Sequence, residues 1–175
     1  TLSHISGGVT LNSSGSNGSV EFGTGGAAIK LATISAGNGI TINGDVSAQS
    51  AIFNADYDAN GTGTFTIASG YYITSANNQS INITTNDIDI YNLGAINSGT
   101  GSTTIAVSDG GTIGLGGTSG NMTITAGELG RITAGTLNIG DSSTGNITVD
   151  GISAANSNNA TTVSLTTASG SSVSF

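Results

Sequence analysis

Four oxygen-bearing residues stand at alternate positions in one polar segment of the sequence: Asp56, Asp58, Asn60 and Thr62. This spacing copies the first half of an EF-hand loop, in which side-chain and backbone oxygens bind calcium, and Gly61 falls where that loop turns sharply. The twelfth position of the loop, where an EF-hand has a bidentate glutamate, is Ile67. The segment is therefore not an EF-hand, and we expect a turn in which Asp and Asn hydrogen-bond their own backbone. The alternative is weak calcium binding through the three Asp and Asn side chains and the Thr62 carbonyl.

Other reactive side chains are few and scattered. Asp87 and Asp89 alternate with apolar residues in NDIDI, so both are expected to face solvent rather than to form a catalytic carboxylate pair. His4, Lys30 and Arg131 are far apart in the sequence, and the chain has no tryptophan to serve as a platform for a sugar. The sequence therefore predicts a protein that is not an enzyme.

The composition is unlike that of an average soluble enzyme. The chain of 175 residues has 29 Gly, no Pro, no Cys and 7% charged residues, where about 25% is usual. Its formal charge of -8 would repel a phosphate backbone, so nucleic-acid binding is excluded. With 35% hydrophobic residues and a mean hydropathy of +0.14, the chain is expected to pack rather than to be disordered. No apolar run is long enough to predict a membrane span.

Short apolar-x-apolar triplets recur along the whole chain, separated by Gly, Asn, Ser and Asp. They are VTL at Val9, VEF at Val20, IKL at Ile29, ITI at Ile40, FTI at Phe65, INI at Ile81, IDI at Ile88, IAV at Ile105, IGL at Ile113, MTI at Met122, LNI at Leu137, ITV at Ile147, VSL at Val163 and VSF at Val173. In a strand the outer residues of a triplet share one face and the middle residue takes the other. The pattern predicts an all-β fold of very short strands with essentially no helix, because Gly interrupts even the segment AGELGRITAG.

Short strands at spacings of about eight to twelve residues fit either a β-sandwich or a β-solenoid. The triplets are shorter than sandwich strands, and the turns between them resemble bends rather than hairpins, which favours the solenoid. At roughly 20 residues per turn the solenoid has about eight or nine turns. Two polar segments, NADYDANGTG and AANSNNATT, are expected to project as loops. Isolated apolar residues are expected to line a third side: Ile34, Val46, Ile73, Ile96, Ile132 and Ile152.

Two segments resemble a known family: GNGITINGDVSAQ (37–49) and ITAGTLNIGDSSTGNITVDGISA (132–154). They resemble the repeat region of filamentous-haemagglutinin-type exoproteins, the large adhesins that Gram-negative bacteria export by two-partner secretion. The resemblance runs in style from about residue 9 to residue 175. It implies a right-handed parallel β-helix, a secreted or cell-surface location and a structural or adhesive role. The Asn-Pro motifs of the family's secretion domain are absent from a chain without Pro, so this would be an interior or C-terminal part.

The expected function is structural. Residues 1–175 are expected to be a single β-solenoid segment, excised or processed from a longer chain, in an extracellular bacterial fibre or adhesin. Solenoid ends are open strand edges, so the expected partners are copies of the chain stacked head to tail or flanking turns of the parent chain, besides a host or surface receptor. No cofactor is expected, and calcium is kept as the alternative for the segment from Asp56 to Thr62. The alternatives are a carbohydrate-binding module and an ice-binding module, for which outward pairs are available at Thr64, Thr66, Thr123 and Thr125.

Overall fold

The computed structural model describes residues 5–13 and 15–175. In that part of the chain almost every regular element is a short strand. The strands are β1 (Ile5–Ser13), β2 (Val20–Phe22), β3 (Ala27–Ala36), β4 (Ile40–Ile42), β5 (Val46–Asn54), β6 (Thr64–Ile67), β7 (Tyr72–Ser75), β8 (Ile81–Thr85), β9 (Asp87–Ile90), β10 (Ala95–Asn97), β11 (Ser102–Val107), β12 (Ile113–Gly116), β13 (Met122–Ile124), β14 (Ile132–Ile139), β15 (Ile147–Asp150), β16 (Ala160–Leu165) and β17 (Val173–Ser174). The helical elements are two single turns, α1 (Ala126–Leu129) and α2 (Ala154–Ser157), and a 3-10 turn at Ala76–Asn78.

The strands stack in parallel into three faces. Every strand pair in the described residues is parallel, which excludes a sandwich of hairpins. One long sheet covers two faces, because the in–out alternation of β3 changes phase where the consecutive residues Lys30 and Leu31 are both exposed. The third face consists of two four-stranded sheets, β2-β4-β6-β9 and β13-β12-β15-β17. The chain is therefore an all-β parallel β-solenoid, as the sequence predicts.

The interior is made of columns of stacked apolar residues, one from each turn. The longest column on the long sheet consists of Leu11, Ile34, Phe53, Ile83, Ile105, Ile139 and Leu165. Between the ends of this column every member is 0–1% exposed. Four of the six predicted third-side residues form a column of their own, in which Val46, Ile73, Ile96 and Ile132 stack on one another. The prediction is wrong for Ile34, which belongs to the longest column, and Ile152 lies outside the strands.

The solenoid has about seven turns, fewer than the eight or nine predicted. Stacked positions are 19 residues apart between Thr33 and Ile52 but 34 apart between Thr104 and Asn138. The later turns are longer than the assumed twenty residues because they contain additional elements. The turn between β11 and β14 contains an inserted strand and α1, and the next turn contains α2.

The insertion is strand β13, which gives the third face one strand more than the number of turns. β12 and β13 are consecutive in the sequence yet pair in parallel across a connection of only five residues, 117–121. Such connections normally need a dozen residues or more. The short path is available because the connection lies directly over Gly114, where an added Cβ would stand 2.3 Å from the Thr118 carbonyl oxygen. The triplets IGL and MTI therefore both lie on the third face of one turn.

Two polar segments differ from the expectation of projecting loops. AANSNNATT (154–162) forms α2 and the first residues of β16, and NADYDANGTG is tied to the rod through a buried side chain that is described below. The expectation of essentially no helix is wrong in AGELGRITAG, where Thr125 and Glu128 form a capping box around α1 and Leu129 is buried. A capping box and a buried apolar residue stabilise a single helical turn despite the neighbouring Gly.

None of the helices in the described part of the chain has the length and hydropathy needed to cross a membrane.

Candidate functional site

The predicted calcium loop is anchored by Asp56. This side chain is 1% exposed, although it stands in a polar segment between β5 and β6. Its Oδ1 accepts a hydrogen bond from the Asn60 backbone N–H (3.2 Å), and its Oδ2 accepts from the Gly61 N–H (3.1 Å) and the Ser108 hydroxyl (2.6 Å). Because Ser108 lies two turns further along the solenoid, the carboxylate ties the loop to the rod.

The other three residues of the loop lie on the outside. Asp58, Asn60 and Thr62 are exposed. Asn60 Nδ2 donates to Asp58 Oδ2 (2.8 Å), and Asn60 Oδ1 accepts from the Thr62 N–H (3.0 Å) and the Thr62 hydroxyl. The structure thus brings Asp58, Asn60 and Thr62 together at the surface, whereas the Asp56 carboxylate is turned inward. Among the described residues, no group of three or more His, Cys, Asp or Glu side chains is arranged to hold a metal ion.

Calcium binding by this loop stays a prediction. It can be tested by comparing the melting temperature of the chain in calcium with that in chelator. If the exposed oxygens bind the ion, calcium at ten times Kd should stabilise the chain by about 1.4 kcal/mol relative to chelator. Asp58→Asn should abolish this shift, because it removes the one carboxylate on the outside of the loop. Asp150→Asn, an exposed site in β15, should leave the shift unchanged. Identical melting in calcium and in chelator would leave the loop as a turn that binds its own backbone.

A second set of polar side chains lies at the seam between the two third-face sheets, where β9 meets β13. The backbone N–H of Ile90 donates to Glu128 Oε1 (3.0 Å), and the carbonyl of Ile90 accepts from Arg131 Nη1 (2.7 Å). The Asp87 carboxylate accepts from the Thr123 N–H (2.9 Å). In a parallel sheet the N–H and C=O of one residue point to the same neighbouring strand. At the seam the Glu128 and Arg131 side chains bind both groups of Ile90, and so they replace the neighbouring strand that β9 lacks at this residue.

The comparisons with known proteins add no assignment to these sites. No family model, curated protein or solved structure matches the chain.

The seam explains residues that the sequence analysis treated as scattered or solvated. Ile88 and Ile90 are buried as predicted, but Asp87 binds the backbone of β13 rather than facing solvent freely. Arg131 also donates to Asn92 Oδ1 (2.8 Å). Glu128 is not singled out by the sequence analysis, although the spacing T-x-x-E from Thr125 is a capping-box signal. His4 lies outside the described residues.

The threonine pairs considered for ice binding are interrupted in the structure. The outward column of one third-face sheet contains Glu21, Thr41, Thr66 and Asp89, and that of the other contains Thr123, Gly114, Thr148 and Ser174. Thr125 is the N-cap of α1 and takes no part in the column. Ice binding and carbohydrate binding stay predictions.

The seam raises the pKa of the Asp89 carboxyl group. Burial raises its pKa above the ordinary value of 3.8, and the charges of Asp87 and Glu128 raise it further. A carboxyl group with a higher pKa in the folded protein than in the unfolded chain holds its proton more tightly when folded. Its contribution to stability is therefore present at low pH and is lost as the pH rises through the raised pKa.

Replacing Asp89 with asparagine should raise the melting temperature at pH 7, because it removes a negative charge from a partly buried acidic group. The gain should shrink with falling pH and vanish below the ordinary value of 3.8, where Asp89 is protonated in both states. Thermal unfolding at pH 7 and at about pH 3 measures both effects. Asp58→Asn in chelator is the matched control, since Asp58 is exposed and should respond little. A gain of equal size at both pH values would contradict the electrostatic cause.

Proposed function

We propose that this chain is a structural, non-catalytic segment of an extracellular bacterial fibre or surface adhesin, in which the solenoid acts as a stiff spacer. The observation that supports this most directly is the unbroken stacking of inward residues. The column from Leu11 to Leu165 passes through every turn, and its interior members are almost completely buried. A body in which each turn is paired to the next along its whole length resists bending better than a chain of linked domains.

The use of the charged side chains supports a structural role. Asp56, Glu128 and Arg131 bind backbone groups of the chain itself, and each joins segments that are distant in the sequence. Among the side chains that the structure describes, those of residues 10–13 and 15–175, no buried nitrogen or oxygen lacks a hydrogen-bond partner. Acid–base groups of an active site usually face a cleft, where they can bind a substrate. The Asp56, Glu128 and Arg131 side chains instead form hydrogen bonds that hold the turns of the solenoid together.

The extracellular location is supported by the resemblance to filamentous-haemagglutinin-type repeats. The two segments that carry it, 37–49 and 132–154, each consist of a strand, a glycine-containing corner and a second strand in the solenoid. Antibody raised against the chain should label intact cells of the bacterium that makes it. Labelling that requires cell lysis would contradict an extracellular role.

Stiffness can be measured directly by the distance between two spin labels. Thr10 and Ser164 lie in one outward column of the long sheet, six turn spacings apart, and the chain has no native cysteine to compete for labelling. Six spacings of about 4.8 Å predict a distance of about 29 Å between the two positions. A stiff spacer should give a narrow distribution around this value in a pulsed EPR measurement, with the labelled chain diluted in unlabelled chain.

A second label pair serves as the matched control. Moving one label from Thr10 to Thr33, the next position of the same column, should shorten the distance by about 5 Å and leave its width unchanged. A broad distribution for both pairs would show that the turns move independently, and the spacer function would be wrong.

A further inference from the structure

The polar loop between β5 and β6 contains an Asn-Gly pair, Asn60–Gly61. In such a pair the backbone nitrogen of the Gly can attack the side-chain carbonyl carbon of the Asn, because the two atoms are close along the chain and Gly has no side chain to obstruct them. Asn60 is exposed, and among the described residues the atom nearest to a Cβ added at Gly61 is Asp109 Oδ2, at 3.7 Å. The pair therefore has room to react.

The nitrogen that would attack is bound to a carboxylate. The Gly61 N–H donates to Oδ2 of Asp56 (3.1 Å), and Asp56 is 1% exposed. The Ser108 hydroxyl donates to the same oxygen from a later turn (2.6 Å), so the rod holds the carboxylate in place beside the N–H. A positioned base accelerates proton transfer by about 100-fold to 10,000-fold. Asp56 is therefore placed as a general base for this nitrogen.

The carbonyl group that would be attacked is bound by two donors. Asn60 Oδ1 accepts from the backbone N–H of Thr62 (3.0 Å) and from the Thr62 hydroxyl. During the attack this oxygen gains negative charge, and donors already aimed at it stabilise that charge as those of an oxyanion hole do. The amide nitrogen that would leave donates to Asp58 Oδ2 (2.8 Å), which orients the side chain. Nucleophile, base and electrophile are thus held together in one loop.

A second Asn-Gly pair, Asn38–Gly39, is arranged differently. Asn38 is also exposed, but Gly39 is buried and its N–H donates to the backbone carbonyl of Ala55 (2.9 Å). A backbone carbonyl accepts a hydrogen bond, yet it is far too weak a base to remove the proton. The fold therefore protects this pair, whereas it places the pair in the loop beside a carboxylate.

We propose that Asn60 is a site of self-modification, at which the folded chain converts this asparagine into aspartate and isoaspartate. Asp56 Oδ2 takes the proton of the Gly61 N–H while the nitrogen forms a bond to Cγ of Asn60. The Cγ–Nδ2 bond then breaks, and the nitrogen leaves as ammonia with the proton that Asp56 returns through water. Water opens the resulting cyclic imide at either of its carbonyl groups. Water is the only co-reactant.

The reaction changes the outside of the loop. The hydrogen bond from Asn60 Nδ2 to Asp58 is lost, and a second carboxylate stands near Asp58. Additional carboxylates raise the calcium affinity of a loop, so the modified chain is the better candidate for calcium binding. The modification goes beyond the spacer function and does not depend on it, because no residue of the inward columns takes part.

Peptide mapping by mass spectrometry of the folded chain, incubated at several pH values, tests the proposal. A synthetic peptide of residues 54–65 gives the rate of the same pair without the fold. In the peptide hydroxide has to remove the Gly N–H proton, so the rate should rise about tenfold per pH unit. In the folded chain the rate at Asn60 should be nearly constant between about pH 6 and about pH 8, and at about pH 6 it should exceed that of the peptide at least tenfold.

Two variants identify the base among the titratable groups near Gly61, which are Asp56 and Asp58 of the loop and Asp109 after β11. Asp56→Asn should slow the reaction at Asn60 by at least about tenfold at about pH 6, and should restore the dependence of the rate on pH. Asp109→Asn is the matched control: it removes an exposed carboxylate near the same glycine and should leave the rate unchanged. Circular dichroism verifies that both variants fold.

The wild-type chain alone can contradict the proposal, even if Asp56→Asn does not fold. A rate at Asn60 that rises about tenfold per pH unit, or a folded chain that reacts more slowly than the peptide at about pH 6, overturns it. Equal rates in Asp56→Asn and Asp109→Asn overturn the role of Asp56. Asn38 is the internal reference, and it should react more slowly than the peptide. The spin-label distance tests the spacer function separately.

Discussion

Phe53→Ala should lower the free energy of unfolding by about 3–5 kcal/mol, the largest effect that we expect from a single substitution. Phe53 is fully buried in the column between Ile34 and Ile83. Its ring packs edge-on against Phe22 at a centroid distance of 6.3 Å and tilted against Phe65 at 5.2 Å. The substitution therefore leaves a cavity and removes two aromatic contacts that link the long sheet to the third face.

Urea unfolding followed by circular dichroism measures this loss. The matched control is Ile52→Ala in the same strand, because Ile52 is 49% exposed on the opposite face and should lose much less. Since turns of a solenoid contact only their neighbours, hydrogen exchange should show the loss of protection concentrated in the turns around β5. Equal destabilisation by the two substitutions would mean that the column does not hold the turns together.

Glu128→Ala should cost about 2–4 kcal/mol, although the residue is a charged one in a glycine-rich segment. Glu128 is 8% exposed, and its two oxygens accept from the Ile90 N–H, the Thr125 N–H and the Thr125 hydroxyl. Ile90 is itself 2% exposed, so its N–H would lose its acceptor in a place that water reaches poorly. An unpaired buried donor costs more than an average hydrogen bond contributes.

Urea unfolding followed by circular dichroism also measures this loss of free energy. Glu128→Gln is included as a variant with an intermediate expected effect. Glutamine keeps one acceptor oxygen, so it can retain the bond to Ile90 or the cap of α1, and its loss should be about half as large. Glu21→Ala is the control at an exposed carboxylate whose partner is the surface residue Asn43. A Glu128→Ala variant as stable as Glu21→Ala would show that the seam does not depend on this side chain.

The columns could be predicted from the sequence because each triplet carries its own in–out pattern. Val46, Ile73, Ile96 and Ile132 were also predictable, since single apolar residues between glycine-rich corners have few other places to go. The position of β13 was not predictable from the sequence. A triplet indicates which of its side chains point inward, but it does not indicate which strand lies beside it. The number of turns was overestimated because several turns are longer than the assumed twenty residues.

The candidate sites were less predictable than the fold. Oxygen-bearing side chains at alternate positions, as at Asp56, Asp58 and Asn60, can bind either a metal ion or backbone N–H groups. The structure distinguishes them because the Asp56 carboxylate points inward, where it binds Gly61 and Ser108. Ile90, the residue that Glu128 and Arg131 bind at the seam, is 38 residues from Glu128 and 41 residues from Arg131. Contacts over such separations leave no local pattern in the sequence.

The extra strand β13 also determines the shape of the rod. A layer of about 4.8 Å inserted on one side of a body about 10 Å thick tilts the turns before it against those after it by roughly 25°. We therefore expect a bend in the rod at β13, with its convex side at the seam. A stiff spacer with this bend holds its two ends at a fixed angle to one another rather than along one straight line.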